Sequence, residues 1–287
     1  MRVHRQSRGT FLKVATITTH THHPAEHVSS IRKDPKNSSL HIELQKKQIE
    51  IIARSKAAAD EGAKIILWSE VLGNTIDDEP NTFVNSAKKL ANDSQVYLFA
   101  ALGINLSNRT LTDNKVVLYG PSGNEIFSYQ KSNLSPGEPS IQGAKKFRFS
   151  DTEFGRLGAA ICADFNFSYF MKAAGQNNLD IVFDPAAEWI EVARIQKAAA
   201  ILRAVENGFN LVKATSSGYS LVATYTGAVL AESDEKTESP LIANVPFKGT
   251  KTIYSRGGWL FSLAVLVLFG GLILKNRNLW WMRIREL

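Results

Sequence analysis

Three residues suited to joint acyl chemistry stand at the ends of three apolar runs. Glu70 closes KIILWSE, Lys131 closes EIFSYQK and Cys162 closes RLGAAIC. A thiol attacks a carbonyl carbon efficiently only after losing its proton, and an adjacent base or positive charge is the usual means. Glu70 is the candidate base. Lys131 is the candidate to stabilise first the thiolate and then the oxyanion of a tetrahedral intermediate, the step where fixed positive charge contributes most. Cys162 is the single cysteine, so no intrachain disulfide is available to the chain. A lone cysteine is commonly inert core filler, and a chain of this length offers many Glu, Lys and Cys trios, so residue types alone leave both readings open.

The elements that must position these residues follow from periodicity. With 287 residues, 44% of them hydrophobic, the chain can bury one substantial core. Lys13–Thr18 reads as a first strand. Apolar residues at helical spacing predict a helix over 40–61, stopped by Gly62, and a second over 81–94 with Phe83, Val84, Ala87, Leu90 and Ala91 on one face. VYLFAALGI is a buried strand, and KVVLYG and EIFSYQK form a hairpin through Pro121-Ser122-Gly123-Asn124. A short helix near 168–174, a strand LDIVFD, and a long helix over 190–207 closed by Gly208 come next. The strands FNLVKAT and YSLVATY flank Ser216-Ser217-Gly218. Strands mixed with helices and hairpins predict a mixed α/β sheet layered with helices, and strand ends are where such folds place their sites.

A formal net charge of +7 suits an anionic partner. The charge is spread thinly, however, with no Arg/Lys run carrying interleaved aromatics, which argues against a nucleic-acid partner. His20, His22, His23 and His27 lie in a polar loop with no cysteine or structured carboxylate beside them, so no metal site is expected there, and no cofactor. From Gly257 to Leu274 eighteen residues pass without a charge, long enough to predict a C-terminal transmembrane helix. Trp280, Trp281, Lys275, Arg277, Arg283 and Arg285 would form its interfacial flank. The expected organisation is a basic N-terminal segment (1–12), a catalytic domain (13–250), the membrane helix (257–274) and a basic, Trp-containing tail (275–287).

The phrases ILWSE, KSNLSPGE and GAAICADFNF resemble the three active-site signatures of the nitrilase, or carbon–nitrogen hydrolase, superfamily. RAVENGFNLVKATSSGYS and TIYSRGGW are further similar to the C-terminal part of the apolipoprotein N-acyltransferases, so the resemblance spans roughly 13–275. It implies a nitrilase-like α-β-β-α sandwich followed by the transmembrane helix. It also implies Glu70 as general base, Lys131 as stabiliser of the intermediate and Cys162 as nucleophile, with Glu138, Asp164 and Trp189 in supporting roles. Asp164 and Ala163 depart from the acyltransferase pattern, which has an aromatic residue and a glutamate after the nucleophile. The implied function is N-acylation of a lipoprotein. A phospholipid acyl donor and a lipidated apolipoprotein acceptor would be the partners, at the cell membrane with the catalytic domain on the extracytoplasmic side. The alternatives are a tethered amidase or nitrilase-type hydrolase, in which water resolves the thioester, and a non-catalytic membrane binding module.

Overall fold

The computed structural model describes residues 11–19, 34, 38–76, 82–105, 110–233 and 239–285. The histidine cluster at 20–27 and the basic segment 1–10 lie outside them.

Two sheets form the centre. The first holds β1 (Phe11–Ile17), β2 (Ile65–Trp68), β3 (Gly73–Ile76), β4 (Tyr97–Asn105), β5 (Thr112–Tyr119), β6 (Glu125–Gln130) and β13 (Leu241–Pro246), in the order β13-β1-β2-β4-β5-β6, with β3 paired to β4. The second holds β7 (Arg148–Thr152), β8 (Gly155–Ala159), β9 (Ile181–Ala186), β10 (Asn210–Thr215), β11 (Leu221–Ala223) and β12 (Val229–Glu232), in the order β12-β11-β10-β9-β8-β7. The helices are α1 (Ser38–Asp60), α2 (Thr82–Ser94), α3 (Ser168–Gln176), α4 (Ile190–Asn207) and α5 (Ile253–Arg285).

The parallel strands read as continuous apolar runs because both of their faces are covered. In β2, Ile65 and Leu67 join the core between the sheets, while Ile66 and Trp68 join a second core with Ile51 and Ala58 of α1 and Phe83, Ala87 and Leu90 of α2. β4 divides likewise, with Phe99 on the inter-sheet side and Leu98 on the helix side. Phe99 stacks on Phe183 of β9 with ring centroids 4.0 Å apart, joining the two sheets. On the far side, Phe170, Met171 and Ala174 of α3 and Ala200 and Ala204 of α4 pack on the second sheet. The layering is α-β-β-α, as the resemblance implies.

Helix boundaries follow the sequence closely. α4 spans 190–207 and ends at Gly208 in the left-handed conformation (φ 78°), where a side chain would collide with the Thr250 carbonyl.

The expected transmembrane helix is corrected. Among the described residues no helix is long and apolar enough to cross a membrane. α5 is interrupted at Gly257, the first residue of the expected span, whose backbone is non-helical (φ −149°, ψ 25°).

Candidate active site

Glu70 follows β2, Lys131 follows β6 and Cys162 follows β8, and all three line one cleft of about 910 Å³, its open mouth included. The two carboxylates and the ammonium form a buried unit. Lys131 Nζ donates to Glu70 Oε1 and to Glu138 Oε2, each at 2.7 Å. Asn114 of β5 bridges the same carboxylates, its Nδ2 donating to Glu70 Oε1 at 2.7 Å and to Glu138 Oε1 at 3.0 Å. The Ser135 N–H holds Glu138 Oε2 at 3.0 Å, and the Ala187 N–H holds Glu70 Oε2 at 3.0 Å. Burial alone would drive the Lys131 ammonium toward neutrality, but Glu70, Cys162 and Glu138 outweigh it and its pKa rises. Burial also opposes ionisation of Glu138, and there Lys131 wins and the carboxyl is held below its ordinary range.

Cys162 sits at the tight junction between β8 and a single 3-10 turn, Cys162–Asn166, with φ at 46°. This left-handed conformation is costly for a residue with a Cβ and is the kind of strain that lifts a nucleophile out of a strand end. Its Sγ lies 3.9 Å from the Ala187 carbonyl oxygen and its N–H donates to Asp184 Oδ1 at 3.0 Å. Burial pushes the thiol well above its ordinary pKa and Glu70 adds to this, while Lys131 and Lys213 pull it down. The resting group is therefore the thiol.

Glu70 has its own strained neighbour. Val71 also has a positive φ, 56°, unusual for a β-branched residue. It fits only because position 103 is glycine: a Cβ there would lie 2.1 Å from Val71 Cγ1.

The supporting residues separate by geometry. Glu138 belongs to the Lys131 unit. Asp164 is fully buried but does not line the cleft; it accepts hydrogen bonds from the Ile161 N–H (2.9 Å), the Asn133 N–H and Nδ2 (both 2.8 Å) and Tyr129 Oη (2.6 Å). It thereby ties the Cys162 turn to the loop after Lys131. Trp189 is half-exposed at the cleft, not a core residue. Arg203 and Glu206 form a pair on α4 away from the cleft, a structural role.

A second buried unit adjoins the first and is poorly signalled by the sequence. Lys213 of β10 lies 2.7 Å from Asp184 Oδ2 and 2.8 Å from Glu188 Oε1. Its trace in the sequence is a charged residue inside an otherwise apolar buried strand, FNLVKAT, with Asp184 similarly placed in LDIVFD. Burial raises Asp184 to about 6 against the opposing pull of Lys213, and burial also moves the Glu188 carboxyl above its ordinary range.

With this geometry established, comparison with known proteins decides the family. Residues 33–254 match the carbon–nitrogen hydrolase family. The chain belongs to it. Among curated carbon–nitrogen hydrolase relatives, a hydrolase of Schizosaccharomyces pombe is 25% identical over 221 residues, covering 64% of this chain and 68% of that protein. An apolipoprotein N-acyltransferase of Treponema denticola is 27% identical over 195 residues, covering 57% of this chain but only 36% of that protein. An N-carbamoylputrescine amidase of Arabidopsis thaliana is 26% identical over 161 residues, covering 45% of this chain and 54% of the relative. Among solved carbon–nitrogen hydrolase folds, an amidase from Nesterenkonia sp. superposes with a TM-score of 0.66 at 18% identity, covering 88% of this chain and 94% of that one.

These findings correct the expectation of acyl transfer. The family shown is that of the carbon–nitrogen hydrolases, and the acyltransferase resemblance covers about a third of that relative's length. With no helix among the described residues able to cross a membrane, the expected phospholipid and apolipoprotein partners and the extracytoplasmic membrane location lose their structural support.

Proposed function

We propose that the chain is an amidase, hydrolysing carboxamides through a Cys162 thioester. The observation that carries the reading is the buried Glu70–Lys131–Glu138 unit sharing one cleft with a strained, lone cysteine. Cys162 Sγ attacks the amide carbon while Glu70 accepts the thiol proton. Lys131 spends two of its three N–H groups on carboxylates, leaving the third for the oxyanion that develops on the amide oxygen. Glu70 then returns the proton to the leaving nitrogen, the C–N bond breaks, and ammonia or an amine departs. A water deprotonated by Glu70 attacks the thioester, releasing a carboxylic acid and regenerating the thiol. Glu138 and Asn114 hold Lys131 and Glu70 in register. The amidases among the relatives favour water over an amine as the final acceptor.

The test is ammonia release from short aliphatic amides by the wild type and by Cys162→Ala. Loss of about 10³-fold or more in kcat/KM is expected for the variant. Mass spectrometry with fluoroacetamide should detect a covalent adduct that is lost with Cys162→Ala; glutamate-to-leucine and glutamate-to-glutamine mutants of the Nesterenkonia amidase carry the acetamide moiety of that compound on the active-site cysteine. Equal ammonia release by both proteins would overturn the reading.

A further inference from the structure

The catalytic sequence leaves one buried carboxylate of the cleft without a task. Glu188 lines the cleft and is only 3% exposed. Its Oε1 is ion-paired to Lys213, but its Oε2 has no hydrogen-bond partner among the described residues. An unsatisfied buried carboxylate oxygen costs free energy that a ligand can recover. Glycine at position 218 backs it closely: a Cβ there would lie 3.0 Å from Oε2 and from Ala193 Cβ, so a larger residue would crowd the carboxylate. Charge points the same way. Around the thiol stand four carboxyl groups, Glu70, Glu138, Asp184 and Glu188, against two ammonium groups, Lys131 and Lys213. At the same cleft the half-exposed Trp189 offers an aromatic surface, which attracts cations.

We infer that Glu188 is a specificity residue, whose Oε2 receives a cationic ammonium group on the substrate, so that the preferred amides carry a positive charge. The inference rests on the amidase reading and names its substrate class. Burial raises the Glu188 carboxyl above its ordinary pKa, and an incoming cation would oppose that cost. A carboxylate-bearing amide would meet repulsion instead.

The experiment compares kcat/KM for β-alaninamide and 4-aminobutanamide with that for butanamide and for succinamate, in the wild type and in Glu188→Gln. In the wild type the better amino amide should exceed butanamide by about tenfold or more, equivalent to ~1.4 kcal/mol, and succinamate should be poorest. In Glu188→Gln that ratio should collapse toward unity, chiefly through KM for the amino amides. Equal wild-type rates on amino and neutral amides overturn the inference while leaving the amidase reading intact. A preference that survives Glu188→Gln overturns it too. Calorimetric binding of 4-aminobutanamide to Cys162→Ala, with and without Glu188→Gln, gives a second readout that needs no turnover. Should no amide be cleaved, the amidase reading fails, and weaker binding on loss of Glu188 supports the cation site whereas unchanged or absent binding overturns it. Thermal melts of each variant separate misfolding from lost recognition.

Discussion

The electrostatics around Cys162 set opposite expectations for its two neighbours. Burial is the largest influence raising the thiol pKa, Glu70 adds to it, and Lys131 opposes it. At neutral pH the group is protonated, so proton removal must accompany attack on the substrate. Alkylation by iodoacetamide, which requires the thiolate, should therefore climb with pH and not level off by about pH 9. Glu70→Gln removes a negative charge and should shift that curve to lower pH; Lys131→Met removes a positive charge and should shift it higher. Both substitutions should nevertheless reduce amide turnover, by about 10²-fold or more, because one removes the base and the other the oxyanion's partner. Mass spectrometry of alkylated protein across pH reads the shifts directly. Movement of both curves in one direction would mean that desolvation, not the local charges, governs the thiol.

At the scale of elements, the site depends on how short turns join strands of different sheets. Asp164 fixes the turn after β8 to the loop after β6 through four accepted hydrogen bonds. Burial raises its pKa while those donors oppose the shift. Asp164→Asn keeps the shape but replaces an accepting oxygen with a donor facing other donors. It should cost about 2–3 kcal/mol, visible as a lower urea midpoint, and should slow turnover by displacing Cys162 relative to Lys131. An unchanged midpoint would show that the two turns hold themselves in place. That Glu70, Lys131 and Cys162 share one cleft was legible through the resemblance of their flanking phrases, each at the end of an apolar run, and α4 was legible because Gly208 stops it. Lys213, Asp184 and Asn114 were not, because they lie within strands and their partners are distant in sequence: Asn114 meets Glu70 across 44 residues and Lys213 meets Asp184 across 29. Strand periodicity reports which face is buried, not which buried polar groups will find one another. Trp189 was ambiguous for a related reason, since an aromatic residue after a strand serves a core or a cleft equally well.

At the scale of the whole molecule, the site lies where strand ends of both sheets meet. The Glu70 N–H donates to the Ala186 carbonyl at 3.3 Å, linking the turn after β2 to the end of β9. α5 stands outside this arrangement. Its first turn is docked: Thr252 Oγ1 donates to the Glu206 carbonyl at 2.5 Å, and Ser255 is buried against Gly175 of α3, where a Cβ would lie 2.5 Å from its own. Beyond the break at Gly257 the character changes, with Leu260, Phe261, Leu266, Leu268 and Phe269 all largely exposed. Among the described residues, none that lines the cleft comes from α5. The eighteen-residue apolar run that dominates the sequence at its C-terminal end is thus separate from the chemistry. A chain ended after Gly258 should keep amide hydrolysis within about twofold of the full chain and melt at a similar temperature, because it loses exposed residues and retains the docked turn. A chain ended before Gly249 should behave differently. It loses the Thr250 N–H bond to the Gly208 carbonyl (2.6 Å) and the Gly249 N–H bond to Asp180 (3.1 Å), which secure the end of α4 and the start of β9. Its melting temperature should fall, and with it the fraction of active enzyme at assay temperature. If the longer truncation product instead lost activity while keeping its melting temperature, the apolar helix would be acting on the cleft, and catalysis would have to be assigned to the whole chain instead of to the two-sheet body.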